Sequence, residues 1–475
     1  VGIVTGKEFL KRVSRLNSTV WMEGERVSSH VTEHPAFRAV LKQKAALYDM
    51  VHDPEYAKLL QSDDGESNFS YELPTTRDHL GKRRKATQVW ARENAGVLGR
   101  SPEYVNTLIT VLAGAKDYFA QAGTEYGESI EAIYTRAKEL DLTFTHTFVN
   151  PPISRKPFYP DGITEQAIAA KIVEETKEGI VIDGARLLAT QGGITDEVLV
   201  LPTGAFQDSA YLYGFCIPSD TEGITFLSRP PFGKDSAYDY PLSSSFEEGD
   251  AIVVFDHVLV PWERVFLYRN EALTEGALIE TGGEAFILFQ AANRQIAKTE
   301  WILGMAESIV DMLNIRQFQH VQGKVSEIIV ALEAMRGFVY SAETQAEKNE
   351  YGFFVPKLAP MKACVCYYQS TYPRLVEILQ LLGASGFIAA PSEKDFDSPV
   401  GKLLERFLRA EHHTAKEKVA LLRLARDFSM SEFGTRQTLY ERYFFGDPVR
   451  TASALYYYFE KKPFTDWIAS FLEDV

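Results

Sequence analysis

The chain has 475 residues, more than a single hydrophobic core accommodates, so two or three domains are expected. Its 65 acidic against 50 basic residues give a formal charge of −15, which argues against nucleic acid or an anionic membrane surface as a partner. Three cysteines, Cys216, Cys364 and Cys366, make no disulfide framework, and no run reaches the roughly 18 apolar residues of a membrane span, so a reducing, cytoplasmic setting is expected.

The first residues, VGIVTGKEFLKRV, carry Lys7, Lys11 and Arg12 but lack the apolar run of a leader. Residues 1–141 then read mostly as helix. HPAFRAVLKQKAALYDMVHD places Phe37, Val40, Leu41, Ala45, Leu47, Tyr48 and Val51 at three-and-four spacing, and SPEYVNTLITVLAGAKDYFAQ repeats the pattern. From 142 to 270 the period changes. GIVIDGARLLAT, DEVLVLPTG, AYLYGFCIP, GITFLSR and DAIVVFDHVLVPWERVFLY are short β-rich runs, and their spacing predicts a sandwich or barrel. From 271 to 475 the helical period returns in four long runs, from FILFQAANRQIAKTEWILGMAESIVDML to HHTAKEKVALLRLARDFSMSEFG, which read as a bundle. The end, with YERYFFGD and ALYYYFEKKPF, is rich in aromatics, as a subunit interface is. This α+β order of helical domain, β domain and helical bundle resembles the acyl-CoA dehydrogenase-like architecture, which implies a homotetramer.

Two stretches carry candidate chemistry. In LTFTHTFVNPPISR, alternation puts His146 on the apolar face of a strand, just before a proline turn. In LGRSPEYVN, Ser101 suits an N-cap and Pro102 a first helical position, so Arg100 lies just before a helix and Tyr104 in its first turn. A helix N-terminus beside a guanidinium suits an anion or a developing oxyanion.

LGRSPEY, LTFTHTFVNPPISR, GARLLATQGGITDEVLVLP, VVFDHVLVPWERVF, LLGASGFIAAPSEKDFDSP and YERYFFGDPVR together resemble the oxygenase component of two-component flavin-dependent aromatic hydroxylases, the 4-hydroxyphenylacetate 3-monooxygenase family. The resemblance runs from about residue 8 to about residue 450. It implies a monooxygenase that takes reduced FAD from a separate NAD(P)H:flavin reductase. With O2 it forms a C4a-hydroperoxyflavin and hydroxylates a phenol at its ortho carbon, 4-hydroxyphenylacetate giving 3,4-dihydroxyphenylacetate. No G-x-G-x-x-G follows a strand, in keeping with a reductase on another chain. The resemblance makes Arg100, Tyr104 and His146 the residues around the phenol hydroxyl, with His146 also against the flavin. It makes Thr190 a catalytic residue at the flavin's reactive edge. The FAD contacts it implies are Pro152, Ile153, Ser154 and Arg155; Leu188, Ala189, Thr190 and Gln191; Gly383 and Gly386 across a subunit boundary; and Phe445, Gly446, Asp447 and Pro448.

One departure concerns the substrate's far end. Thr203-Gly204 stands where the family's type enzyme has Ser-Thr to receive the carboxylate, so phenol, a chlorophenol or another aromatic remains an alternative substrate. Other classes fit less well. A [4Fe–4S] dehydratase of related fold needs about four Cys or His ligands. An acyl-CoA dehydrogenase needs a carboxylate base in the bundle, for which Glu284 stays open. Adjacent His412 and His413 diverge on a helix and no H-E-x-x-H occurs, so no metal site is expected. A flavin-binding oligomer without activity is the remaining alternative, against which stands the joint presence of Arg100, Tyr104 and His146.

Overall fold

The computed structural model describes residues 2–27, 30–151, 168–202 and 208–473. Ten strands build the middle of the molecule: β1 Thr19–Met22, β2 Glu25–Arg26, β3 Phe144–Thr147, β4 Lys171–Glu175, β5 Gly179–Thr190, β6 Glu197–Val200, β7 Tyr213–Pro218, β8 Ile224–Ser228, β9 Asp250–Pro261 and β10 Val265–Tyr268. They form a six-stranded sheet, β2-β1-β8-β9-β5-β4, and a four-stranded sheet, β10-β7-β6-β3. Val198, Val200, Tyr213 and Phe215 of the smaller sheet share one core with Ile180, Ile182, Val253 and Phe255 of the larger. The expected sandwich is therefore present.

Residues 19–26 form a hairpin within the mostly helical first 141 residues. Glu23 and Gly24 both have positive φ, as a type I′ hairpin turn requires, and Val20 and Met22 alternate inward from Trp21. The hairpin joins the large sheet through a parallel β1–β8 pairing.

The other face of the small sheet carries the site. Phe144, Leu199, Cys216 and Leu267 pack there against Val105, Leu108 and Leu112 of the Pro102–Gly114 helix. That helix is buried from Pro102 through Ala113, so it is a core helix rather than an amphipathic surface one. β3 is the edge strand, parallel to β6, with His146 opposite Leu199. Its threonines point the other way: Thr145 and Thr147 donate to the carbonyls of Thr190 and Leu187 on β5.

The bundle helices span Gly283–Leu313, Gln319–Thr344, Leu358–Gly383 and Ala415–Ser429. The fourth predicted run does not continue through 434. Ser431 accepts from the Gly434 N–H and caps a new helix, Glu432–Tyr443. This helix leads back to the site. Among the described residues no helix is long and apolar enough to cross a membrane.

Candidate active site

Arg100 is fixed first by its own backbone. The N–H groups of Gly99 and Arg100 donate to the Glu248 carboxylate at 2.9 and 2.8 Å. The Arg100 carbonyl accepts from Gln191 Nε2 at 3.1 Å. Gly99 is required by the next contact, because a Cβ there would stand 2.6 Å from the Tyr440 hydroxyl oxygen. The guanidinium donates to the Gly99 carbonyl and to that hydroxyl, at 2.8 and 3.1 Å. It lies 4.9 Å from the Tyr104 ring centre and 4.7 Å from that of Phe444. Arg100 is 3% exposed, and among the described residues its Nε has no hydrogen-bond partner and no carboxylate lies within ion-pair distance of it. Ser101 occupies the N-cap position without capping. Its hydroxyl donates to Glu103 instead, and the backbone N–H groups of the first turn gain no side-chain acceptor from it.

His146 faces this group from β3. Its ring stacks on Phe148 at 4.2 Å and lies 5.7 Å from Tyr104 and 6.2 Å from Phe444. It is 5% exposed, and among the described residues neither Nδ1 nor Nε2 has a hydrogen-bond partner. Burial, and then the charge of Arg100, push its pKa well below 6.5, so the imidazole is neutral at pH 7. A buried polar ring with both nitrogens unsatisfied is costly on its own and calls for a ligand group beside it.

The expected cofactor segment on β5 is shaped by a bulge. The register with β9 shifts between Arg186 and Ala189, and Leu188 takes φ +58 with 53% of its surface exposed. Ala189 is buried. The Thr190 hydroxyl donates to Asp250 at 2.9 Å. Burial would raise Asp250, but Arg436 and Arg229 hold it well below the usual carboxylate range. The Thr190 oxygen therefore offers only lone pairs to a neighbour. The Gln191 amide is consumed inside the protein, between Lys44, the Arg100 carbonyl and Glu248. Within the expected cofactor segment Leu188–Gln191, the Gln191 side chain is thus held by the protein itself.

At the other end of the chain, Phe445 packs edge-on to Phe444, and the Gly446 carbonyl accepts from Gln369. Asp447 caps the Pro448–Tyr458 helix, accepting from the Val449 and Arg450 N–H groups, so its carboxylate is committed there. Gly383 and Gly386 are not brought to the cluster within this chain. A Cβ on Gly383 would strike the Phe387 ring at 2.1 Å, and Gly386 packs on Leu422. Glu284 pairs with Lys362 on the bundle. Pro152, Ile153, Ser154, Arg155, Thr203 and Gly204 lie outside the described residues.

Three neighbours escaped the sequence reading. Tyr440 and Phe444 stand four apart with Arg436 before them, one helical face that i, i+4 spacing could have revealed. Glu248 sits in SFEEGD, which reads as an acidic turn.

Comparison with known proteins decides the family. Residues 5–267 match the model "4-hydroxyphenylacetate 3-hydroxylase N terminal" and residues 276–473 its C-terminal counterpart. The chain belongs to the 4-hydroxyphenylacetate 3-hydroxylase family. It is 42% identical over 480 aligned residues, 99% of both chains, to a probable 4-hydroxyphenylacetate 3-monooxygenase of Bacillus subtilis. A Rhodococcus 4-nitrophenol 2-monooxygenase oxygenase component is 33% identical, with 94% of this chain and 86% of that one covered. The crystal structure of a 4-hydroxyphenylacetate 3-monooxygenase oxygenase component, complexed with FAD and 4-hydroxyphenylacetate, is 40% identical. It matches with a TM-score of 0.95 over 99% of this chain and 98% of that one. The expected order of helices, β sandwich and helical bundle is the observed one.

Proposed function

We propose that this chain is the oxygenase half of a two-component monooxygenase that hydroxylates 4-hydroxyphenylacetate ortho to its hydroxyl, using reduced FAD and O2. One observation carries the reading. A neutral, buried imidazole with two unpartnered nitrogens faces a buried guanidinium that has no carboxylate partner among the described residues, and aromatic rings surround both. A phenol supplies what that arrangement lacks: a flat ring for Phe148, Tyr104 and Phe444, and one hydroxyl whose proton His146 can accept or share. Arg100 then stabilises the phenolate, with the uncapped helix terminus behind it and Tyr104 beside it. Loss of the phenol proton makes the ortho carbon a strong nucleophile.

Reduced FAD, when bound, would supply the two electrons that activate O2, one oxygen going to the phenol's ortho carbon and the other to water. The residues present suit such a group. Leu188 offers exposed apolar surface for a flat ring, and Thr190 offers a lone pair to an N–H or O–H donor. Phe445 and the segment from Pro152 to Arg155 complete the contacts in this reading, with Gly383 and Gly386 reaching FAD held by a neighbouring subunit. The dry aromatic wall around His146 excludes water, which limits wasteful release of hydrogen peroxide.

A separate flavin reductase and a cytoplasmic setting belong to the same reading, as does a homotetramer. Helix Lys462–Glu473 supports the assembly: Phe464, Trp467, Ile468, Phe471 and Leu472 form one exposed apolar stripe with no buried residue. Thr203-Gly204 and the Rhodococcus relative favour testing other phenols beside 4-hydroxyphenylacetate. The test is incubation with FAD, NADH, an NADH:flavin reductase and a panel of phenols, followed by chromatography. A catechol from 4-hydroxyphenylacetate supports the reading. A catechol from another phenol alone changes the substrate, and none from any phenol removes the function.

A further inference from the structure

Resting on the reading of Arg100 as the cation that meets the phenol, we propose that Lys44 is a positioning residue for Arg100, acting through the side-chain amide of Gln191. Lys44 lies on helix Arg38–Met50 and is 1% exposed, as is Gln191. Among the described residues its ammonium makes one hydrogen bond, donating to Gln191 Oε1 at 2.7 Å. Gln191 Nε2 donates in turn to the Arg100 carbonyl at 3.1 Å and to Glu248 Oε1 at 2.9 Å.

These partners allow the amide one orientation. An ammonium only donates, whereas a carbonyl and a carboxylate only accept, so the oxygen must face Lys44 and the nitrogen must face Arg100. A flipped amide would set its oxygen against two acceptors and its nitrogen against a cation. Gln191 adopts φ +61 to reach this position, a left-handed conformation that a non-glycine side chain rarely holds without compensating contacts. Both backbone polar groups of Arg100 are thereby held: its N–H by Glu248 and its carbonyl by Gln191. Removing Lys44 leaves the Gln191 oxygen buried without a donor and frees the amide to turn away.

The groups around Lys44 keep it charged at neutral pH. Burial pulls its pKa to about 8, opposed by Asp196 and Glu248 and assisted by Arg12, which is itself paired with Asp196. The Phe9 ring lies 5.6 Å from the ammonium.

The test compares Lys44→Met, Gln191→Met and the double variant, reading urea stability, KM for 4-hydroxyphenylacetate and kcat. Each single variant is expected to lose stability and to raise KM about tenfold, the equivalent of one buried hydrogen bond, with kcat within roughly threefold. The double variant removes both orphaned polar groups, so stability returns towards wild type. KM stays high, because the Arg100 carbonyl is still unheld. A KM that recovers together with stability would reduce Lys44 to a structural role and overturn the proposal, as would single variants with unchanged KM. Crystal structures of the variants give a readout independent of turnover. The guanidinium is expected to leave its place between Tyr104 and Phe444, and an unmoved Arg100 would contradict the proposal even if the wild-type protein hydroxylated no phenol. Should Lys44→Met fail to fold, Gln191→Met and the double variant still decide the question.

Discussion

The guanidinium of Arg100 lies 4.7 Å from the ring centre of Phe444, although the two residues come from opposite ends of the chain. The contact joins the first helical segment to the last helix that reaches the site, and both meet His146 on the edge strand of the small sheet. The site is therefore a junction of three segments, and its geometry depends on how firmly the C-terminal helix is held.

Replacing Phe444 with leucine keeps apolar volume but removes the ring beneath Arg100. A partly desolvated cation–π contact is worth about 1–2 kcal/mol, so KM for the phenol should rise roughly tenfold. Steady-state kinetics of Phe444→Leu check this, and an unchanged KM would separate Arg100 from the phenol.

The helix carrying Tyr440 and Phe444 is anchored by Glu441, which is buried against Arg294 at 2.7 Å and Lys298 at 2.8 Å. Burial opposes its ionisation, but these two cations hold its pKa at about 2. Glu441→Ala leaves two buried cations without their carboxylate and should destabilise the protein by about 3–5 kcal/mol. Urea unfolding measures the loss. A change below 1 kcal/mol would mean that the pair is not buried as described.

Acid sensitivity should report His146. Its folded pKa lies below the unfolded value, so below pH 6.5 the unfolded chain binds a proton that the folded chain refuses. The stability this confers is complete above the unfolded pKa and is lost as pH falls towards the folded one. The slope is at most about 1.4 kcal/mol per pH unit for one proton. Between pH 6.5 and 5, His146→Phe should lose less stability than wild type. Parallel curves would mean that His146 titrates normally.

Much of the fold is readable from period alone. The sandwich follows from short alternating runs, and the bundle from four long apolar-periodic ones. The hairpin at residues 19–26 was missed because two short strands cannot signal against surrounding helices, although Glu23-Gly24 marks its turn. At the site, His146 could be picked out because a titratable group breaks an apolar alternation. Phe444 and Tyr440 could not be assigned, since nothing local tells a helix face that reaches 340 residues back to Arg100 from one that lines the bundle. Glu248 was hidden for the same reason. Its partners include the backbone N–H groups of Gly99 and Arg100, which no sequence pattern displays.

Removing residues 461–475 should shrink the assembly, because it removes Trp467, Ile468, Phe471 and Leu472, the apolar stripe proposed to pack between subunits. Sedimentation velocity of the truncated protein reads this directly. An assembly of unchanged size would move the subunit interface elsewhere.

The most direct test of the account is a single turnover with His146 intact or replaced. Protein holding reduced FAD and 4-hydroxyphenylacetate is mixed with oxygenated buffer, and catechol is counted per flavin oxidised. The wild-type protein is expected to give close to one. His146→Ala should lower the rate of catechol formation by about 100-fold or more, with the oxygen appearing as hydrogen peroxide instead. Equal catechol from the two proteins would remove His146 from the chemistry, and its absence from both would contradict the reading of this pocket as a phenol site.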